Sequence, residues 1–370
     1  MTTCQLTKNQ LIDSQQANSP NQLIHGDNLT VMKALLPDLR GKIRLAYVDP
    51  PFATNRTFRI AHNTHEQTGK SSNIAYQDTL DHDSYLAFIR ERLTVIHELL
   101  SEDGTLYVHL DPRIAPYVQI MLDEIFGFER FHKQIVWKRT TSHPNAKSFA
   151  CVHDTLVFYP KNKDFFFSPA YEPYSESYIR EYYRFKEDNG NEDSSLGKSN
   201  RWYSPGDLTG KALKTAHDPR YQYEWNGHTK IWRCPRETMV RLQEENKLHY
   251  TSSGLPRIKR FLDEMPGLAP SDVWADIPPV HPRSQEFTGY PTQKPEKLLE
   301  RIIRSSSQEG DITLDPFCGS GTTLTVAERL NRRWIGIDES PVAIEFAGKR
   351  EGLSVSTINT LPLLGKGDQL

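Results

Sequence analysis

Residues 49–52, Asp-Pro-Pro-Phe, directly follow the apolar run IRLAYV at 43–48. The two prolines have a fixed φ and no N–H, so they hold the Asp49 carboxylate and the Pro50 carbonyl as rigid acceptors without a competing donor. Phe52 adds an aromatic face on which a planar ring can stack. Taken alone, Asp49, Pro50, Pro51 and Phe52 suit either a flat ligand that carries N–H groups or a strand-ending turn with a core phenylalanine.

A second motif, ITLDPFCGSGTT at 312–323, runs from an apolar strand through Asp315 into a glycine loop and then a helix. Gly319 and Gly321 let the backbone approach a ligand, and the helix N-terminus offers free N–H groups. Asp338 ends the next strand, WIGID, about 20 residues further on, where an acidic group can accept ribose hydroxyls. The two features together predict a nucleoside-containing cofactor. A dinucleotide is the weaker alternative, because Leu324 stands where its fingerprint needs a third glycine.

The loop D-P-F-C-G-S-G-T-T resembles the S-adenosylmethionine loop of amino-methyltransferases that act on DNA. With the Asp-Pro-Pro-Phe turn ahead of it, the chain resembles their beta class over most of residues 23–160 and 289–350. HGDN at 25–28 and TQKP at 292–295 match two further motifs of that class. The resemblance implies that S-adenosylmethionine is bound by a set of cofactor residues: Asp27, Lys294, Asp315, Phe317, Gly319, Gly321, Thr322 and Asp338.

The same resemblance gives the Asp49 turn a chemistry. An exocyclic amine of adenine or cytosine is a poor nucleophile, and Asp49 and the Pro50 carbonyl can accept its two hydrogens as it attacks a sulfonium methyl. Such a base has to be flipped out of the duplex, and Phe52 can stack on it. No Pro-Cys dipeptide occurs in the chain, which argues against carbon-5 cytosine methylation.

The target base and substrate stay open at this point. The commonest adenine form of the motif ends in tyrosine, so Phe52 leaves N4 of cytosine as an alternative to N6 of adenine, although an Asp at the first position favours adenine. Methylation of an RNA amine is a second alternative. A catalytically silent nucleic-acid-binding module is a third, but the intact Asp49 and the cofactor glycines give no reason for silence.

Composition is that of an ordinary globular chain. The 370 residues are 37% hydrophobic and 25% charged, with a net charge of -2, so nucleic-acid contact would need a local basic surface. Four scattered cysteines (Cys4, Cys151, Cys234 and Cys318) indicate neither a disulfide framework nor a zinc site, and Cys318 suits packing. No apolar run approaches a membrane span and the polar start is no signal peptide, so we expect a cytoplasmic, nucleoid-associated protein without metal.

Apolar periodicity alternates between strand and helix over 23–160 and again over 296–349. Among the predicted elements are helices at 84–100, 115–126 and 341–349 and a strand at 312–315. This rhythm predicts an α/β fold: a doubly wound, Rossmann-like, mostly parallel sheet with one antiparallel edge strand and a circularly permuted motif order. The predicted organisation has five parts: a flexible arm (1–22), a catalytic half (23–160), a target-recognition insert (161–289), a cofactor-binding half (290–351) and a flexible tail (352–370).

The insert is the basic part of the chain. Between residues 198 and 260, thirteen Lys and Arg stand against six Asp and Glu, and seven Trp and Tyr are interleaved. Basic and aromatic side chains of this kind attract phosphates and stack on bases, although a solvated surface is the plainer alternative. We predict DNA contacts at Lys230, Arg233 and Arg236, and phosphate contacts at Arg56 and Arg59 in a polar loop (53–73).

His62 and His65 in that polar loop are expected to face solvent rather than bind metal. By resemblance, we expect double-stranded DNA, a second copy of the chain and a cognate restriction endonuclease as partners.

Overall fold

The computed structural model describes residues 21–52, 56–59, 74–78, 81–142, 147–187, 201–210, 218–350, 352–353 and 358–360. The chain divides into two compact units, unit 1 (Met1–Ala170 and Ser271–Leu370) and unit 2 (Tyr171–Pro270).

The strands in the described residues are, in chain order, β1 (Gln22–His25), β2 (Ile43–Val48), β3 (Arg56–Arg59), β4 (Ile74–Asp78), β5 (Leu100–Leu110), β6 (Lys133–Lys138), β7 (His153–Pro160), β8 (Phe185–Lys186), β9 (Trp202–Asp207), β10 (Gln222–Trp225), β11 (His228–Ile231), β12 (Leu248–Tyr250), β13 (Pro256–Phe261), β14 (Val273–Trp274), β15 (Ile312–Asp315), β16 (Arg333–Asp338) and β17 (Ile358–Thr360). The α-helices are α1 (Asn28–Leu39), α2 (His82–Leu99), α3 (Ala115–Phe126), α4 (Glu176–Tyr182), α5 (Arg236–Glu244), α6 (Glu296–Ser306), α7 (Thr322–Arg329) and α8 (Pro341–Gly348).

Unit 1 is built on one large sheet with the strand order β14-β6-β7-β5-β2-β15-β16-β1-β17. Neighbouring strands from β5 through β2, β15, β16 and β1 to β17 are parallel. Alternate residues of β2 enter two different cores: Ala46 and Val48 pack with α1, α2 and α3, and Leu45 and Tyr47 pack with α6 and α7. The sheet is therefore covered by helices on both faces, which confirms the predicted doubly wound α/β fold.

One detail of the predicted sheet is wrong. The antiparallel strand is β7, and it lies between β5 and β6 rather than at the edge. The sheet continues past it because β6 runs back parallel to β5, and the two-residue strand β14 then pairs with β6. β14 escaped the sequence analysis because two residues carry no periodicity.

Local signals set the helix ends in unit 1. Asp81 accepts from the backbone N–H of Ser84 at the start of α2, and Ser340 accepts from that of Ala343 at the start of α8. α3 ends at Gly127, whose φ of 94° favours glycine. These caps explain why α3 coincides with the predicted segment and why α2 and α8 nearly do.

Unit 2 contains more regular structure than its sequence suggests. A four-stranded antiparallel sheet has the order β12-β13-β9-β8, and β10 and β11 form a hairpin. A small core joins Trp225 and Trp232 of the hairpin region to Met239 and Leu242 of α5. Strands of two to six residues are too short to show a clear alternation of apolar and polar residues, so the sequence of this part has no recognisable period.

The compact unit, 171–270, is shorter than the predicted insert, 161–289. The two flanks of the predicted insert, 161–170 and 271–289, belong to unit 1. The ring centre of Phe165 lies 5.7 Å from that of Phe158 on β7, and Trp137 of β6 donates its ring N–H to the Ile277 carbonyl at 2.9 Å. The recognition role of the insert remains a prediction.

Two predicted loops also contain strands. β17 lies in the predicted tail and pairs with β1, and β3 lies in the predicted polar loop and pairs with β4. The predicted arm up to residue 20 and most of the polar loop, including His62 and His65, lie outside the described residues. Among the helices that the structure describes, none has the length and apolar character needed to cross a bilayer.

Candidate active site

Four neighbouring parallel strands of unit 1 end at one edge of the sheet, and a carboxylate stands at or just beyond each end. Asp49 follows β2, Asp315 ends β15, Asp338 ends β16, and Asp27 follows β1. These strands are consecutive in the sheet. Ligands of open α/β sheets bind outside the carboxyl ends of the strands, so both predicted motifs lie at the expected edge.

The Asp49 turn is held by a lysine from a distant segment. Lys294 Nζ donates to Asp49 Oδ2, and the two side chains are 11% and 18% exposed. The same ammonium lies 5.4 Å from the centre of the Phe52 ring. Lys294, predicted to bind cofactor, thus contacts the predicted catalytic turn.

The segment before Lys294 is braced by its own side chains. Thr292 has φ of 60°, a strained conformation for a β-branched residue. Gln293 donates to the Glu286 carbonyl at 2.5 Å, and Glu286 Oε2 accepts from the Glu296 N–H at 2.8 Å in the first turn of α6. The backbone that presents Lys294 is therefore anchored to α6.

The glycine loop depends on glycine at two positions. Gly319 and Gly321 have φ of 51° and 76°. A Cβ on Gly321 would lie 3.0 Å from the Ala347 Cβ, and one on Gly319 would lie 3.4 Å from the Tyr290 ring. The Gly319 N–H donates to Asp338 Oδ2 at 2.9 Å. Glycine is thus needed at both positions for conformation and, at Gly321, for space as well.

The two other predicted loop residues, Phe317 and Thr322, have different surroundings. The Phe317 ring lies 6.0 Å from that of Phe88 on α2. Thr322 is buried, and its hydroxyl accepts from Arg350 Nη1 at 3.3 Å, while Arg350 also pairs with Glu296 at 2.7 Å. Phe317 thus lies beside α2, and Thr322 is buried beside Arg350.

Two of the carboxyl groups at this edge are hard to ionise. Burial raises the pKa of Asp315 to about 7, against the hydrogen bonds that it accepts, and the charges of Asp49 and Asp338 add to the rise. Burial likewise raises the pKa of Asp338 to about 6, although it accepts from the N–H groups of Gly319 and Ser340. Crowded, poorly solvated carboxylates favour a cation at this edge.

Asp27 has a structural task. It caps α1 by accepting from the Thr30 N–H at 2.8 Å, and its other oxygen accepts from the buried Arg92 at 2.8 Å. Arg92 Nε also donates to Asn28, whose amide donates to the Pro316 carbonyl of the glycine loop at 2.7 Å. Sequence reasoning missed Asn28 and Arg92, because this brace joins three segments far apart in the chain.

A second buried network lies behind the Asp49 turn. His109, fully buried on β5, contacts the Tyr47 hydroxyl through Nδ1 at 2.8 Å and Asp154 through Nε2 at 3.2 Å. Arg139 donates to the other oxygen of Asp154 at 3.0 Å. The His109 ring lies 6.2 Å from that of Phe52 with the planes 27° apart. Burial, together with the charge of Lys294, lowers the pKa of His109, so a neutral ring donates to Asp154 and accepts from Tyr47.

This network was also missed by sequence reasoning. The one local signal was a histidine inside the otherwise apolar run TLYVHL at 105–110. A buried polar residue in such a strand needs partners, but the sequence does not name them.

The predicted DNA contacts lie in two places. In unit 1, Arg56 and Arg59 belong to the β3–β4 ribbon, and Arg59 is exposed. In unit 2, Lys230, Arg233 and Arg236 are exposed, and Arg233 also donates to the Thr209 carbonyl at 3.0 Å. Within the described part of the chain, no group of three or more His, Cys, Asp or Glu side chains is placed to hold a metal ion.

Comparison with known proteins identifies the family of the chain. The model of the N6/N4 DNA methylase family matches residues 43–349. Type II methyltransferase M.EcaI of Enterobacter cloacae is 33% identical over 342 residues, which cover 90% of this chain and 69% of that protein. The type III restriction-modification enzyme EcoP15I Mod subunit of Escherichia coli is 26% identical, over 85% of this chain and 57% of that subunit.

The solved structure of PvuII DNA methyltransferase (cytosine-N4-specific) is similar with a TM-score of 0.46 at 16% identity, over 90% of each chain. The family match extends over the Asp49 turn, TQKP and the glycine loop. The chain therefore belongs to the N6/N4 DNA methylase family.

Proposed function

We propose that this chain transfers a methyl group from S-adenosylmethionine to the exocyclic amine of a base flipped out of double-stranded DNA, with N6 of adenine as the leading target. One observation carries the proposal: β2, which leads into Asp49, pairs directly with β15, which leads into the glycine loop. An amine acceptor and a nucleoside site thus share one edge of the sheet. Membership of the DNA methylase family supports it.

The Asp49 turn would act as the amine acceptor. The carboxylate of Asp49 and the carbonyl of Pro50 accept the two amine hydrogens, and the prolines keep both oxygens in place. Positive charge builds on the nitrogen during transfer, so a fixed carboxylate stabilises the transition state more than the neutral amine. Phe52 stacks on the base, and His109 supports the ring from behind.

The glycine loop fits the cofactor. Gly319 and Gly321 have left-handed backbone conformations, a Cβ at Gly321 would crowd Ala347, Asp338 and Asp315 are poorly solvated carboxylates, and α7 begins directly after the loop. The cofactor supplies an electrophilic methyl group on a positively charged sulfur. These residues would hold its nucleoside and favour its charge, and the Asn28–Pro316 contact keeps the loop in position.

Adenine is proposed ahead of cytosine because the motif begins with Asp49 rather than Ser. N4 of cytosine is the alternative, since Phe52 keeps the stacking face but lacks the hydroxyl of the commonest adenine motif.

Unit 2 is proposed to recognise the DNA target. Its basic segment carries thirteen Lys and Arg against six Asp and Glu between residues 198 and 260. Lys230 and Arg236 are exposed and can reach phosphate or base edges, whereas Arg233 is partly engaged by Thr209. The charge supports binding to nucleic acid, and the family favours DNA.

The names of the relatives suggest a biological setting. M.EcaI is a type II methyltransferase, and the EcoP15I Mod subunit belongs to a restriction-modification enzyme. We propose that this chain likewise modifies DNA beside a cognate restriction endonuclease, in the cytoplasm and at the nucleoid. A homodimer is proposed on the resemblance alone.

The test is to incubate the purified chain with labelled S-adenosylmethionine and unmethylated bacterial genomic DNA, and to identify the nucleosides by mass spectrometry. N6-methyladenine is the expected product. N4-methylcytosine would keep the mechanism and change the target, and methylation of RNA alone would overturn the DNA assignment.

Asp49→Ala should abolish methyl transfer while cofactor binding persists, because Asp49 acts on the amine. Asp272→Asn, at an exposed position of unit 1, is the matched control and should remain active. Full activity of Asp49→Ala would contradict the proposed mechanism.

A further inference from the structure

The carboxylate that would accept the target amine already has a partner. Lys294 contacts Asp49 Oδ2 and lies over Phe52, so one ammonium covers both the acceptor and the stacking face. An ammonium in this position competes with the amine for the lone pairs of Asp49. Its charge also opposes the positive charge that develops on the attacking nitrogen. Departure of Lys294 from Asp49 would remove both effects.

The segment of Lys294 also reaches the glycine loop. Tyr290 is buried, its ring centre lies 5.5 Å from that of Phe346 on α8, and a Cβ on Gly319 would lie 3.4 Å from the Tyr290 ring. The segment before Lys294 is thus anchored at two points: Tyr290 packs against Phe346, and Gln293 donates to the Glu286 carbonyl. A lysine ammonium sits on a flexible stem of four carbons, so Lys294 can change partner while its backbone stays in place.

The charges around the loop indicate which partner it takes. Asp315 would meet the positive end of a sulfonium cofactor and Asp338 its ribose, but a methionine carboxylate needs a cation. Two nearby guanidinium groups are already paired: Arg92 with Asp27 at 2.8 Å, and Arg350 with Glu296 at 2.7 Å. Lys294 is the nearby cation whose present contact opposes the reaction.

The geometry points to a partner exchange: Lys294 leaves Asp49 for the carboxylate of the cofactor's methionine part, and cofactor binding thereby frees Asp49 for the base. This inference rests on the proposed function, and it makes Lys294 the link between the cofactor and base sites. Cofactor binding should then precede productive binding of the flipped base.

The test compares two ligands without DNA. Isothermal titration calorimetry would measure Kd for S-adenosylmethionine and for its decarboxylated form, which keeps the sulfonium and the amine but lacks the carboxylate. The ratio of the two Kd values isolates the carboxylate contact, because effects on the shared groups cancel. Lys294→Met should reduce the preference for the carboxylated ligand roughly tenfold, equivalent to about 1.4 kcal/mol.

Asp49→Asn should change that preference in the opposite direction, because Lys294 no longer has to leave a carboxylate. Lys297→Met is the matched control: it removes an exposed lysine three positions away that pairs with Asp276. Circular dichroism would check that each variant is folded. The opposite shifts expected from Lys294→Met and Asp49→Asn keep the test informative if one of them is unstable.

An unchanged ratio in both variants would overturn the exchange, as would equal weakening of both ligands by Lys294→Met. If neither ligand binds the unaltered chain, the cofactor assignment of the proposed function fails, and this inference fails with it. Binding of both ligands with an unaltered ratio would leave the proposed function intact and refute the exchange alone.

Discussion

Asp315→Asn should make unit 1 more stable at alkaline pH, although it removes a charged group from the candidate site. Asp315 is 2% exposed and accepts a hydrogen bond from the Phe317 N–H at 3.0 Å. Burial raises its pKa from 3.8 to about 7. The folded state therefore holds a proton that the unfolded chain has already lost over that range of pH.

The sign follows from proton linkage. Below pH 3.8 both states are protonated, and the group has no effect on the pH dependence. From there to about pH 7 the unfolded state is favoured by about 1.4 kcal/mol per pH unit, so stability falls as pH rises. The full loss is about 4 kcal/mol, of which about 3 kcal/mol falls between about pH 5 and about pH 8.

Urea unfolding at several pH values in that interval, without cofactor or DNA, measures the effect. The Asn variant cannot ionise, so its free energy of unfolding should rise relative to that of the unaltered chain by about 3 kcal/mol over the interval. Asp272→Asn, which changes an exposed carboxylate of the same unit, should show no such gain. Parallel pH profiles for Asp315→Asn and the unaltered chain would refute the reasoning.

Three further perturbations test the supporting contacts. His109→Ala removes one hydrogen bond that the buried Asp154 accepts, while Arg139 stays on its other oxygen, and should cost about 1–3 kcal/mol in urea unfolding; His109→Gln, which can still donate, should cost clearly less, and equal losses would contradict the network. Arg92→Lys should weaken cofactor binding in calorimetry, because a single ammonium cannot reproduce the contacts to Asp27 and Asn28; unchanged affinity would argue against the brace. Lys230→Ala should reduce the slope of log affinity for DNA against log salt by about 1, whereas an unchanged slope would place this residue away from phosphate.

Much of unit 1 could be predicted because its signals are local. β2 and β15 match their predicted runs residue for residue, and so does α3, since each has a clear apolar period and a defined end. The Asp49 turn and the glycine loop were recognisable for the same reason, because each is a short run of unusual residues. Each motif directly follows an apolar run, and this was sufficient to assign both motifs to strand ends.

Strand neighbours were beyond local reasoning. β7 is internal because β6 pairs with the edge of β7 that β5 leaves open. β17 pairs in the same way with the edge of β1 that β16 leaves open. Pairing of this kind is set by which edges remain open after the rest of the sheet has formed. Unit 2 was missed for a different reason, since its strands are too short to show a period.

The sequence by itself determined the family, the two motifs and the strands that carry them, because these depend on residues next to one another. Only the tertiary structure decided what the charged groups touch. Lys294 and Asp49 are 245 positions apart, and His109 and Asp154 are 45 apart, yet both pairs are in hydrogen-bond contact. Most buried charged or polar side chains need a partner, and folding of the sheet, rather than nearness in the chain, selects that partner.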